Sequence, residues 1–199
     1  LNILSTNAST VGSFDLGIFS SKDGSNKSLN KIKDQDAEII FLIGQDNVKF
    51  KKNNEFVVYI GSHGDNGADM ADIILPGAAY TEQDGYFTNL EGKLQKAYKA
   101  SYPPGYAKED WQIINELSFE IQGTALFKNK DELINSMYDF LNNEDKKNNF
   151  EIPNYNFKEE KIIVDDIDYY YSNTIARASK TMSECRYARV NLKMTGTEG

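Results

Sequence analysis

The chain has 199 residues, 40% of them hydrophobic and 12% aromatic, which suffices for one sizeable packed domain with or without a tail and excludes a disordered polymer. Its formal net charge is -8, from 22 basic and 30 acidic residues with no arginine-rich stripe; a nucleic-acid binder is excluded, and the acidity reads as solubility. The one cysteine, Cys185, cannot make an internal disulfide, a zinc cluster or an iron–sulfur site, and no apolar run reaches the ~20 residues that cross a bilayer, so any membrane association is expected to come through partners.

Leu1 rather than Met opens the sequence, read as a processed chain or a piece of a longer one. A short helix is expected over residues 8–15, ending at Gly17, followed by a Ser-, Lys-, Asn- and Gly-rich loop over 20–31. Residues 37–44 form a continuous apolar run closed by Gly44, the pattern of a strand buried on both faces. Residues 56–61 repeat it, and residues 72–77 give a shorter version ended by Pro76, with one or two helical turns between them over 65–70. Three such strands with short helical connections predict a parallel sheet in an α/β layer fold.

Gly85 allows a turn before an aromatic–polar strand, and Pro103, Pro104 and Gly105 make another turn. Asp110 is the expected N-cap of a helix over 111–121, with Trp111, Ile114, Leu117 and Ile121 on one stripe. A second helix is expected over 131–141, with Leu133, Ile134, Met137, Tyr138 and Leu141 sharing a face. Residues 142–149 read as a solvated linker and 161–164 as one more strand. The tail from Thr174 carries Arg177, Lys180, Arg186, Arg189 and Lys193 against Glu184 and Glu198; it is either a docking element for an acidic neighbour or a helix with a solvated basic face.

Few residues offer chemistry. His63, the one histidine, follows a predicted strand in a turn with Gly61 and Gly64, where open α/β sheets bind ligands; it is read either as a ligand contact or as a hydrogen-bonded turn residue. No nucleophile–histidine–acid set assembles around it, and neither P-loop nor GxGxxG spacing is present. Asp65, Asp69 and Asp72 have the spacing of a helix and its exit, so at least some should point apart rather than share a cation. Glu82, Asp84 and Glu91 lie among glycines and aromatics, and their spacing alone assigns no hydrolytic pair. Cys185, beside Arg186, has no partner histidine and is read as inert.

Residues 68–95, ADMADIILPGAAYTEQDGYFTNLEGKLQ, resemble a long signature of the molybdopterin oxidoreductase family. Within it, GSHGDNGA at 61–68, PPGYAKEDWQII at 103–114 and SNTIARASKTMSEC at 172–185 resemble the branch formed by the large iron–sulfur subunit in the peripheral arm of respiratory complex I. ASTVGSFDLG at 8–17 resembles a helix of the same branch. The resemblance is weakest over 20–36 and 126–171, and Lys93 stands where many members carry Arg. It implies a Rossmann-like parallel-sheet domain, incomplete here, with residues 1–141 as the C-terminal portion of the domain, 142–171 as linker and 172–199 as a basic docking tail.

The same resemblance implies a structural role in NADH-to-ubiquinone electron transfer. No catalytic, cofactor or metal residue is expected in this chain, and iron–sulfur clusters and FMN are expected elsewhere in the complex. The expected partners are other peripheral-arm subunits, including the cluster-carrying remainder of the same subunit. The implied location is peripheral on the matrix side of the mitochondrial inner membrane, or on the cytoplasmic side of a bacterial membrane. In the family this region surrounds a pterin when one is bound, so His63, Asp65, Glu82, Asn89, Glu91 and Gly92 would be the vestige of that pocket. The mitochondrial branch is generally held to contain no pterin. The alternative implied by the wider family is a working molybdopterin enzyme similar to formate dehydrogenase.

Overall fold

The structure, a computed structural model, describes residues 7–18, 37–143 and 168–191. The loop expected at 20–31 and the strand expected at 161–164 lie outside the described residues, as does most of the linker expected at 142–149. The chain divides into two compact units, Leu1–Asp145 and Lys146–Gly199.

The first unit is built on a three-stranded parallel sheet in the order β1 (Ile39–Ile43), β2 (Phe56–Gly61), β3 (Ile73–Pro76). The strands are those the apolar runs predict, and the central one is β2. Between β2 and β3 lies helix α2 (Asn66–Met70). Ile40 and Leu42 of β1 and Val57 and Tyr59 of β2 form one core, against which Ala68, Met70, Ala71 and Phe50 pack. On the opposite face Val58 and Ile60 meet Ile113, with Leu75 and Ile114 alongside. Val57 and Ile60 have no exposed surface, and burial of each contributes roughly 1.5–3 kcal/mol.

The expectation of strands buried on both faces holds for β2 alone. In β1 the burial alternates, and Ile39, Phe41 and Ile43 point outward into the open. β3 buries little, with Ile73 and Ile74 exposed. The physical reason is position: β2 has a strand on either side and side chains above and below, whereas the described residues cover only one face of β1.

An antiparallel hairpin follows, β4 (Gly85–Thr88) with β5 (Leu94–Ala97). Helix α1 (Thr10–Asp15), where a helix over 8–15 is expected, packs against it. Thr88 N donates to Ser9 Oγ at 3.1 Å, and a Cβ on Gly12 would come within 2.9 Å of Thr88 Oγ1, so only glycine permits this approach. Helix α3 (Asp110–Gln122) ends at Gly123 in a left-handed conformation, φ 74°. Helix α4 (Lys130–Asn143) places Tyr138 edge-on to Tyr86, ring centroids 6.0 Å apart.

Two details of α3 differ from expectation. Its N-cap is Glu109, not Asp110: Glu109 is extended and its N–H donates to Gln112 Oε1 at 3.2 Å, half of a capping box. Its buried face centres on Ile113, with Ile114 beside it, while Ile121 is exposed. Only the first turns of α3 lie over the sheet, so the predicted stripe runs past the core.

The second unit contains a 3-10 turn (Tyr169–Tyr171), α5 (Thr174–Ala178) and α6 (Lys180–Asn191). Asn173 caps α5 through Ala176 N at 2.9 Å. Among the described residues no helix is long and apolar enough to cross a membrane.

Candidate functional site

The carboxyl ends of β2 and β3 are where a parallel sheet presents a site. There Tyr59, buried at its ring, donates its hydroxyl to the His63 carbonyl at 2.6 Å. His63 Nδ1 lies 2.9 Å from Ser62 Oγ, so the imidazole is held by its own neighbour. Asp65 caps α2 by accepting from Asn66 N at 2.8 Å. Gly67 lets α2 approach the segment after β1: its N–H donates to Asp46 O at 3.0 Å, and a Cβ there would lie 2.5 Å from Gln45 O. Asp72 turns the other way, accepting from Lys52 Nζ at 2.6 Å and from Val57 N at 2.8 Å. The Lys52 ammonium and the Val57 N–H hold the Asp72 carboxyl below its usual range. Asp65 and Asp72 thus serve separate local structures, and among the described residues no group of three or more His, Cys, Asp and Glu side chains converges on a metal position.

Glu82 lies in the turn after β3, where its Oε2 accepts from Ala79 N at 3.0 Å. Asp84 accepts from Lys99 N at 2.8 Å, which lowers its pKa. At the hairpin tip, Asn89 Oδ1 accepts from Glu91 N at 3.0 Å and from Lys93 N at 2.9 Å. Gly92, at φ 79°, donates to Asn89 O at 3.0 Å. A cavity of about 270 Å³ lies between this corner and the start of α1, lined by Ser9, Val11, Thr88, Asn89 and Leu90 among others. The six candidate residues therefore serve three local systems: the turn after β2 (His63, Asp65), the turn after β3 (Glu82) and the hairpin tip (Asn89, Glu91, Gly92).

One carboxylate with a raised pKa is a residue whose sequence context pointed only to a helix cap. Asp110 sits over Gly77 so closely that a Cβ there would lie 2.5 Å from Asp110 Oδ1. That oxygen is buried with no hydrogen-bond partner. Burial pushes the Asp110 carboxyl up, and a hydrogen bond from Gln83 offsets this only partly. The neighbouring chain is pinned to the sheet, with Lys108 N donating to Pro76 O at 3.1 Å and Ala78 N to Lys108 O at 2.8 Å. Next to Asp110, Glu109 Oε2 accepts from Lys130 Nζ at 2.5 Å and from Trp111 Nε1 at 2.8 Å, tying α3 to the start of α4. A cavity of about 400 Å³ opens beside this segment, lined by Leu75, Pro76, Tyr106, Lys108, Ile113 and Glu116 among others. The E-x-x-Q spacing of Glu109 and Gln112 was the available signal for the cap; nothing local signals the burial of Asp110.

In the second unit Asp168 accepts from Arg186 Nε at 2.5 Å, and the guanidinium lies over the Tyr171 ring, 4.8 Å from its centroid. Tyr171 Oη is 2.9 Å from Ser183 Oγ, and Arg189 lies 5.9 Å from the Tyr170 ring centroid. Part of the basic face is thus engaged by the aromatic turn, while Cys185 is exposed.

A phosphate-bearing pterin, which the family resemblance implies when one is bound, needs free N–H donors and cationic side chains. The described residues do not fit it. At the strand ends the N–H groups of Asn66, Gly67, Gly77, Ala78 and Ala79 already serve internal acceptors, and the lysines beside them are engaged as well, Lys130 on Glu109 and Lys108 on Glu116, next to the carboxylates of Asp65, Glu82 and Asp110. All three arginines, Arg177, Arg186 and Arg189, stand in the tail.

Residues 1–120 match the molybdopterin oxidoreductase family. The chain is 39% identical over 203 residues to the G subunit of the NADH-quinone oxidoreductase of Rickettsia bellii, covering 98% of this chain and 28% of that protein. It is 39% identical over 198 residues to the "NADH-ubiquinone oxidoreductase 75 kDa subunit" of Reclinomonas americana, covering 92% and 28%. A similar match, 37% over 196 residues, joins it to the corresponding NADH-quinone oxidoreductase chain of Rickettsia felis. The chain therefore spans about 28% of the length of the curated relatives it matches.

Proposed function

The chain belongs to the molybdopterin oxidoreductase family, and from that premise we propose that it is a structural, cofactor-free element in the peripheral arm of respiratory complex I. It does the work of the corresponding portion of the large iron–sulfur subunit: it completes an α/β domain and braces its neighbours. Electrons pass from NADH to ubiquinone through FMN and iron–sulfur clusters held by other segments and subunits. Its partners are those subunits, first among them the cluster-carrying remainder of the large subunit. The assembly is peripheral to a membrane, on the matrix side of the mitochondrial inner membrane or the cytoplasmic side of a bacterial one.

The observation that carries this reading is similarity along nearly the whole chain to one NADH oxidoreductase subunit in two lineages, bacterial and eukaryotic. Two structural facts support the cofactor-free part. The side chains of His63, Asp65, Glu82 and Asn89 make local hydrogen bonds, as do the backbone N–H groups of Glu91 and Gly92. At the strand ends the N–H groups and the lysines already serve internal acceptors, where an anionic cofactor needs free donors. The names of the relatives do not favour the formate dehydrogenase-like alternative.

The test is a native gel of solubilised membranes, stained for NADH dehydrogenase activity, with the subunits of the active band identified by mass spectrometry. The expected result is this chain in the active band, stoichiometric with the cluster-carrying subunits. Its migration apart from that band would overturn the reading.

A further inference from the structure

One face of the parallel sheet is covered over only half its width. α3 lays Ile113 and Ile114 against Val58 and Ile60. Beside them Ile39 (58% exposed), Phe41 (47%), Ile43 (43%) and Phe56 (43%) are open. The register sets Ile39 beside Phe56, Phe41 beside Val58 and Ile43 beside Ile60. The open side chains are therefore one apolar strip, continuous with the core under α3. Single exposed apolar residues are ordinary, but a contiguous strip of four large ones marks a surface that another element covers.

The edge points the same way. Among the described residues β1 bonds only to β2, which leaves its outer row of N–H and C=O groups without a strand. Edge strands that face water are guarded by Lys, by Pro or by a bulge. β1 reads Ile-Ile-Phe-Leu-Ile, pairs in unbroken register and has none of these. All-parallel sheets occur with both faces covered by helices.

We propose that this strip seats a helix with an apolar stripe, packed alongside α3, and that a strand pairs with the outer edge of β1. Both come from the part of the large iron–sulfur subunit that this chain does not cover; the inference rests on the reading above. The occupant follows from three features. α3 already forms half a helical layer on this face, so a second helix laid beside it completes the layer. The relatives extend well beyond this chain, which spans 28% of their length, and so carry sequence of the extent needed for both elements. A second copy of this chain is disfavoured, because its net charge of -8 opposes pairing.

The test uses the assembled complex. A photo-crosslinking benzoylphenylalanine replaces Phe41, and in a parallel preparation Ile121, which is exposed near the end of α3. Amide exchange of residues 39–43 is measured in the complex and in the isolated chain. The expected result is a crosslink from position 41, not from 121, to an apolar helical segment of the cluster-carrying polypeptide, with exchange at least about tenfold slower in the complex. A crosslink from position 41 to a second copy of this chain or to lipid, or exchange unchanged on assembly, overturns the proposal. If the chain migrates apart from NADH dehydrogenase activity, the functional reading falls by itself. A crosslink from position 41 to a longer polypeptide of whatever assembly contains the chain would then still support the covered strip.

Discussion

β1 and β2 are both apolar runs, Ile-Ile-Phe-Leu-Ile against Phe-Val-Val-Tyr-Ile-Gly, and they sit side by side in the same sheet. Yet Val57, Val58, Tyr59 and Ile60 of β2 are buried, whereas β1 hides only Ile40 and Leu42. An apolar run states that a strand expects cover. It does not state which polypeptide supplies the cover. The contrast separates what the chain stabilises within itself from what it offers to an assembly.

The largest effect should come from the covered strand. Ile60→Ala should cost about 2–5 kcal/mol in urea unfolding of the chain, followed by the fluorescence of Trp111, the one tryptophan. A cost comparable to that of an exposed site would break the contrast. Next is the close approach at the ends of the sheet. Gly77→Ala should cost about 1–3 kcal/mol because its Cβ meets Asp110 Oδ1, and adding Asp110→Ala should recover part of that loss. Smaller still is the bare strand: Phe41→Ser should change the stability of the free chain by no more than about 0.5 kcal/mol. The same variant should be incorporated poorly into the complex, so the two readouts diverge at Phe41 and agree at Ile60.

The subtlest effects are in pH, with opposite signs at two aspartates. Asp72 has a lowered pKa, so its contribution is present above its unfolded value and is lost as pH falls through the folded one. Asp72→Asn should therefore be less stable than the parent at neutral pH, with the difference closing in acid. Asp110 has a raised pKa, so the stability tied to its protonated form is present below the unfolded value and is lost as pH rises through the folded one. Asp110→Asn should flatten that decline in a pH series of unfolding curves. A decline as steep as the parent's would mean the carboxyl is not the group responsible.

Much of the α/β frame was legible because it rests on local signals. The three strands follow from apolar runs closed by Gly44, Gly61 and Pro76, and α3 stops at Gly123. β5 escaped notice because Leu94–Ala97 is short and half polar, and is a strand only through its pairing with β4. The Asn89–Gly92 corner was legible from its turn residues. The burial of Asp110 was not, since it is set by a loop distant in sequence that folds Gly77 onto it. The bare face of β1 was hidden for the same reason: exposure is a property of packing, and the sequence of the strand is that of a covered one.

The central claim, a structural and cofactor-free element within an NADH-oxidising complex, is tested most directly by composition. The band active with NADH is isolated, shown to contain this chain, and assayed for molybdenum, tungsten and pterin fluorescence per copy of the chain. The expected result is stoichiometric chain with iron and FMN but neither metal nor pterin above background. Stoichiometric molybdenum or tungsten together with pterin would contradict it.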